Sequence, residues 1–110
     1  MIQDTLEKIE KRIRAAESIT PQQREELLGL LAALKAEVAK LPEAAGEQAQ
    51  SIAGFTAVSA HEATRDEKNP ELVKLSLTGL ARSVEGFEET HPKLVQAVNS
   101  IATMLSNLGI

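Results

Sequence analysis

The chain has 110 residues, 43% of them apolar and 2% aromatic, with no cysteine and a net charge of −4. That is the length of one domain with an aliphatic core, and the absence of cysteine excludes disulfides and thiolate chemistry. With no Trp, no Tyr and no basic stripe, nucleic-acid binding is not expected, because it relies on stacked aromatics and clustered Lys and Arg.

Ile2, Leu6, Ile9, Ile13 and Ala16 recur at alternating spacings of four and three. Such spacing keeps one stripe of a helix apolar. A first helix is predicted from Asp4 to Glu17. Glu7 with Lys11, and Glu10 with Arg14, are four-apart pairs with the acid N-terminal, which supports it. The same segment is charged throughout and lacks the apolar centre of a signal peptide. No run approaches the ~18 apolar residues that span a bilayer. A cytoplasmic protein is the expectation.

Ser18 and Ile19 break the rhythm. Thr20-Pro21-Gln22-Gln23 then reads as a helix start: Thr20 caps, Pro21 takes the first turn, and Gln23 reaches back to close a capping box. Leu27, Leu31, Leu34, Val38 and Leu41 carry the stripe of a second helix. It continues to about Lys40 and stops before Pro42, whose predecessor leaves the helical region. The short connection favours antiparallel neighbours. Residues 1–41 hold seven acids and seven bases and form the N-terminal hairpin of a single helical domain, 1–110.

Residues 42–69 are the small-residue part, read as either a helix or a mobile connector. The rhythm there passes through Ala45, Ala49, Ile52, Thr56, Ser59 and Ala63, a weak apolar face. Gly46 and Gly54 each weaken a helix by roughly 1 kcal/mol relative to Ala.

Asn69-Pro70 restarts order with a capping residue followed by proline. Val73, Leu77, Leu80, Val84 and Phe87 predict a helix to about Glu88. Gly79, Ser83 and Gly86 form a small-residue face away from that stripe. Thr90 or His91 caps a last helix that starts at Pro92 and carries Leu94, Val98, Ile101, Leu105 and Leu108. Gly109 stands where a helix-ending glycine belongs. Residues 70–110 are the C-terminal hairpin.

The expected fold is therefore all-α: about five helices in antiparallel hairpins, forming a bundle with coiled-coil-like stripes. Leu28 and Leu30 fall beside the stripe of the second helix, and Leu72, Leu75 and Val95 beside those of the C-terminal hairpin. Leaving leucines in water is costly, at roughly 1.5–3 kcal/mol each. A homo-oligomer, with a dimer as the commonest form, is expected, mainly through the N-terminal hairpin.

His91, beside Glu88 and Glu89, has the residue types of a base or metal ligand. A corner cap before Pro92 explains it better. His61, Glu62 and Arg65 share one helical surface, but a hydrolytic zinc motif needs a second His where Arg65 stands. No cofactor, catalytic residue or metal site is therefore expected. A non-enzymatic helical interaction or structural module fits the sequence best. A peripheral amphipathic surface binder and a small enzyme or metal protein using His91 and His61 are the alternatives.

The segment from Phe87 to Ile110, FEETHPKLVQAVNSIATMLSNLGI, resembles the C-terminus of a family of short bacterial helical proteins carried as a domain of unknown function. The elements that carry the resemblance are Phe87, Glu88, His91, Pro92, Asn99, Asn107, Gly109 and Ile110. It implies a helical fold and a bacterial origin, and it brings no activity.

Overall fold

The structure, a computed structural model, describes residues 2–109. Five α-helices follow one another: α1 (Ile2–Ala15), α2 (Pro21–Ala39), α3 (Gly46–Thr64), α4 (Pro70–Ser83) and α5 (Pro92–Gly109). A 3-10 turn at Glu43–Ala45 leads into α3, and no strand occurs among the described residues.

The helix starts follow the local chemistry. Thr20 Oγ1 accepts the Gln23 N–H at 3.1 Å, and the Thr20 N–H donates to Gln23 Oε1 at 2.9 Å. Both halves of the capping box are present, with Pro21 in the first turn. Asn69 Oδ1 accepts the N–H groups of Glu71 at 3.0 Å and Leu72 at 3.4 Å. At the start of α5 the His91 carbonyl accepts from Leu94 and Val95, while its ring Nδ1 turns to Thr90 Oγ1 at 3.0 Å. The ring also meets Phe87 edge to face at 5.6 Å. His91 thus holds the corner by position and packing, with its ring turned away from the helix N–H groups.

Arg24 closes the first hairpin. Its Nε donates to the Ile13 carbonyl at 3.2 Å and its Nη2 to the Ala16 carbonyl. These carbonyls stand at the end of α1, where intrahelical donors run out; that of Ile13 is otherwise reached by the Ala16 N–H, at a long 3.4 Å. Arg24→Met keeps the stem and removes both bonds. A charged donor contributes about 1.5–3 kcal/mol net, so the urea midpoint is expected to fall accordingly with an unchanged slope. A loss below about 0.5 kcal/mol would mean that water serves these carbonyls equally well.

The ends differ from the sequence reading in two places. Helix four stops at Ser83 rather than near Glu88. Gly86 has φ +96, a backbone region natural to glycine and strained for other residues. Its N–H donates to Glu88 Oε2 at 2.7 Å. Val84 and Phe87 keep the apolar rhythm from within this turn, Val84 buried and Phe87 half-buried. Gly109 is the second case. It lies inside α5, is buried, and has no positive φ, so it is not a left-handed cap. A Cβ there would stand 2.8 Å from Val73 Cγ1. Close approach of α5 to α4 requires the glycine.

The packing has two parts. α1, α2, α5 and α3 form a four-sided bundle, in which α1 touches α2 and α3, and α5 touches α2 and α3. Ile9 and Ile13, Leu27 and Leu31, Thr56 and Ala60, and Ile101 and Leu105 converge at its centre. α4 lies outside, touching α3 and α5, and buries Val73, Ser76 and Leu80. Lys35 on α2 pairs with Glu7 at 3.4 Å and with Glu10 at 3.7 Å on α1. Glu7 therefore reaches across the hairpin, while Glu10 also lies 4.0 Å from Arg14.

Residues 46–64 are a helix that touches α1, α4 and α5. Its small side chains let three helices approach. Ala49, Ile52, Thr56, Ser59 and Ala63 are buried as the rhythm requires, and so are Ala53 and Ala60. Thr56 and Thr64 satisfy their hydroxyls within the helix, donating to the carbonyls of Ile52 and Ala60, each at 2.7 Å. Ser59 Oγ is buried with no hydrogen-bond partner among the described residues.

Candidate interaction surface

The residue types that could carry chemistry are scattered. His61 is exposed near the C-terminal end of α3, with Nε2 3.9 Å from Glu62 Oε2. Arg65 Nη1 holds the other Glu62 oxygen at 3.1 Å. Glu62 is thereby buried as part of an ion pair, not solvated as a plain helix face. His91 precedes α5. Ser18, at the α1–α2 turn, donates to the Thr64 carbonyl at the end of α3, so α1 and α3 run parallel. α4 runs back against α3 and α5 returns along α4, with Gly109 against Val73. His61 and His91 consequently lie toward opposite ends of the bundle. No group of three or more His, Cys, Asp or Glu could hold a metal ion among the described residues.

The five leftover apolar residues separate into two sets. Leu28, Leu30 and Val95 are half-buried and pack against the core. Leu30 and Val95 also line a broad open groove of about 960 Å³ between α2 and α5, with Met104 and Leu108. Asn99 and Asn107 form part of its polar wall, and both are exposed. Helices in a bundle bury a wedge wider than one stripe, which is why these residues are partly covered. The surplus assigned to the N-terminal hairpin is correspondingly small.

Leu72 and Leu75 belong to the other set, at 38% and 69% exposure. On α3, which packs against α4, Phe55 is 40% exposed and Val58 48%. These four are the large apolar residues left in water among the described residues. The Phe55 ring lies over Gly79 so closely that a Cβ at Gly79 would overlap it. Gly79 thus seats a ring from α3, and the small-residue face proposed for α4 is in part this seat. Large apolar side chains exposed together on one packed helix pair mark interaction sites in soluble proteins.

Phe55 and Val58 were not legible as surface from the four–three rhythm of α3. The rhythm marks a single face of residues 43–68, through Ala49, Ile52 and Thr56. The signal was nonetheless present: the bulkiest apolar residues there besides Ile52, namely Phe55 and Val58, both fall off the small-residue stripe. Thr20, Pro21, Asn69, Pro70, His91 and Pro92 all stand at helix starts. Ile110, the last residue of the C-terminal motif, lies outside the described residues.

No helix among the described residues is long and apolar enough to cross a membrane. A family model described as "Domain of unknown function (DUF4404)" matches residues 2–110. Neither a curated protein nor a solved structure matches the chain.

Proposed function

The chain belongs to the DUF4404 family, and we propose that it is a non-enzymatic helical interaction module that works by self-association. The observation carrying this reading is the ridge of Phe55, Val58, Leu72 and Leu75, all exposed on the packed pair of α3 and α4. Leu30, Val95, Met104 and Leu108 along the α2–α5 groove are half-buried, whereas the four residues of the ridge are exposed, so the ridge holds the large apolar side chains that gain most from being covered. The separation of His61 from His91 supports a role without catalysis, since acid–base chemistry needs groups within reach of one reacting centre.

Sedimentation at micromolar concentration tests the proposal. The wild-type chain is expected to run as a dimer. Leu75→Lys places a charge at the most exposed point of the ridge and is expected to give monomer with unchanged helicity. A wild-type chain that is monomeric throughout would overturn the reading.

A further inference from the structure

Two charged residues of α4 carry the reading further. Glu71, Leu75, Thr78 and Arg82 follow one another at spacings of four, three and four, and all four are exposed. At 3.6 residues per turn they form one stripe. Glu71 and Arg82, at its two ends, have no ion-pair partner among the described residues. The spacing reads the same from either end. Turning a second α4 end for end sets position 71 opposite 82, and 75 opposite 78. Acid then meets base twice, and each leucine meets a smaller threonine. A parallel second copy would instead set Glu71 against Glu71 and Arg82 against Arg82.

The neighbouring helix obeys the same reversal. Phe55 and Val58 are three apart on α3, so an end-for-end copy sets each against the other. The contact of Phe55 with Gly79 fixes the level of α3 relative to α4. The midpoint of Phe55 and Val58 falls within about one residue of the midpoint of Leu75 and Thr78 along the antiparallel pair. A single two-fold axis therefore serves both helices. Such isologous pairing, in which residue i meets j and j meets i, is what a two-fold dimer demands.

Resting on the self-association proposed above, we propose that the occupant of the α3–α4 face is a second copy of this chain, docked antiparallel. Glu71 of each copy lies against the partner's Arg82, and Phe55 against the partner's Val58. The apolar ridge supplies the contact area. The charge pairs fix direction and register, the part that complementary charges play at interfaces.

Charge exchange tests this on the full chain. Glu71→Arg and Arg82→Glu, alone, each place two like-charge contacts in the dimer and are expected to weaken self-association roughly tenfold or more. Mixing the two single variants is expected to restore association, because every contact across that heterodimer again joins arginine to glutamate. The double variant is expected to restore the homodimer. Circular dichroism of each variant separates these effects from loss of fold. A dimeric wild type whose single variants associate unchanged would overturn the docking mode while leaving self-association intact. So would single variants that lose helix stability alone, which would confine both residues to the helix ends. Folded single variants that stay apart on mixing would likewise reject the register. A monomeric wild type would overturn both the docking and the self-association.

Discussion

Leu31→Ala is expected to lower the stability of the fold by about 2–5 kcal/mol. Leu31 is 1% exposed and stands where α1, α2, α3 and α5 converge. The core around it is aliphatic, with side chains from all four helices touching one another. Removing its isobutyl group loses the transfer energy of the buried atoms and leaves a void that the surrounding helices close only in part. Domains of this size have a total stability of only about 5–15 kcal/mol, so the loss takes a large share. At roughly 4–8 °C per kcal/mol, the melting temperature is expected to fall by about 8 °C or more. Urea unfolding followed by circular dichroism checks the value. A loss below about 1 kcal/mol would mean that the four helices do not meet at this residue as described.

Three core stripes were legible because burial in a bundle is set by side-chain spacing, which the sequence displays directly. Leu6, Ile9 and Ile13, then Leu27, Leu31, Leu34 and Val38, then Leu94, Val98, Ile101 and Leu105 are all buried. The starts at Thr20 and Asn69 were legible for a related reason: a cap is a local hydrogen bond between a side chain and the backbone a few residues ahead. The end of α4 was not. Val84 and Phe87 continue the rhythm whether or not the backbone between them stays helical, and the positive φ of Gly86 leaves no trace in that rhythm. Gly109 has the opposite history. Its residue type suggested a cap, and what it provides is room for Val73. Such a role depends on a residue 36 positions away in the sequence and appears only once the chain is folded.

The interaction surface was half legible. Leu72 and Leu75 stood out because they are apolar and lie off a stripe that was already complete. Leu28, Leu30 and Val95 met the same criterion and are half-buried, because neighbours on two sides of a helix cover more than one seam. The criterion counts residues outside a stripe but does not say which of them the neighbouring helices overlap. Phe55 and Val58 needed the reverse observation, that a helix with a small-residue buried face can carry its bulk outside.

That small-residue face sets up the other large effect. Ala60→Leu is expected to destabilise the fold by about 1–3 kcal/mol even though leucine is the more apolar residue. Ala60 is 1% exposed and faces the same centre as Ile13, Leu27 and Leu105. No cavity large enough for a water lies between them. The added side chain must therefore push α1, α2 or α5 outward or twist its own χ angles. Either response sacrifices contacts that the close approach of α3 makes possible. Intrinsic helix propensity does not offset this, since leucine and alanine differ by only a few tenths of a kcal/mol. The expected signature is a lower urea midpoint with native helicity retained, together with line broadening of methyl signals from Ile13 and Leu105. An Ala60→Leu protein as stable as wild type would show that α3 is not clamped among its neighbours. Residues 46–64 would then be the loosely held connector rather than the helix on which α1, α4 and α5 are assembled.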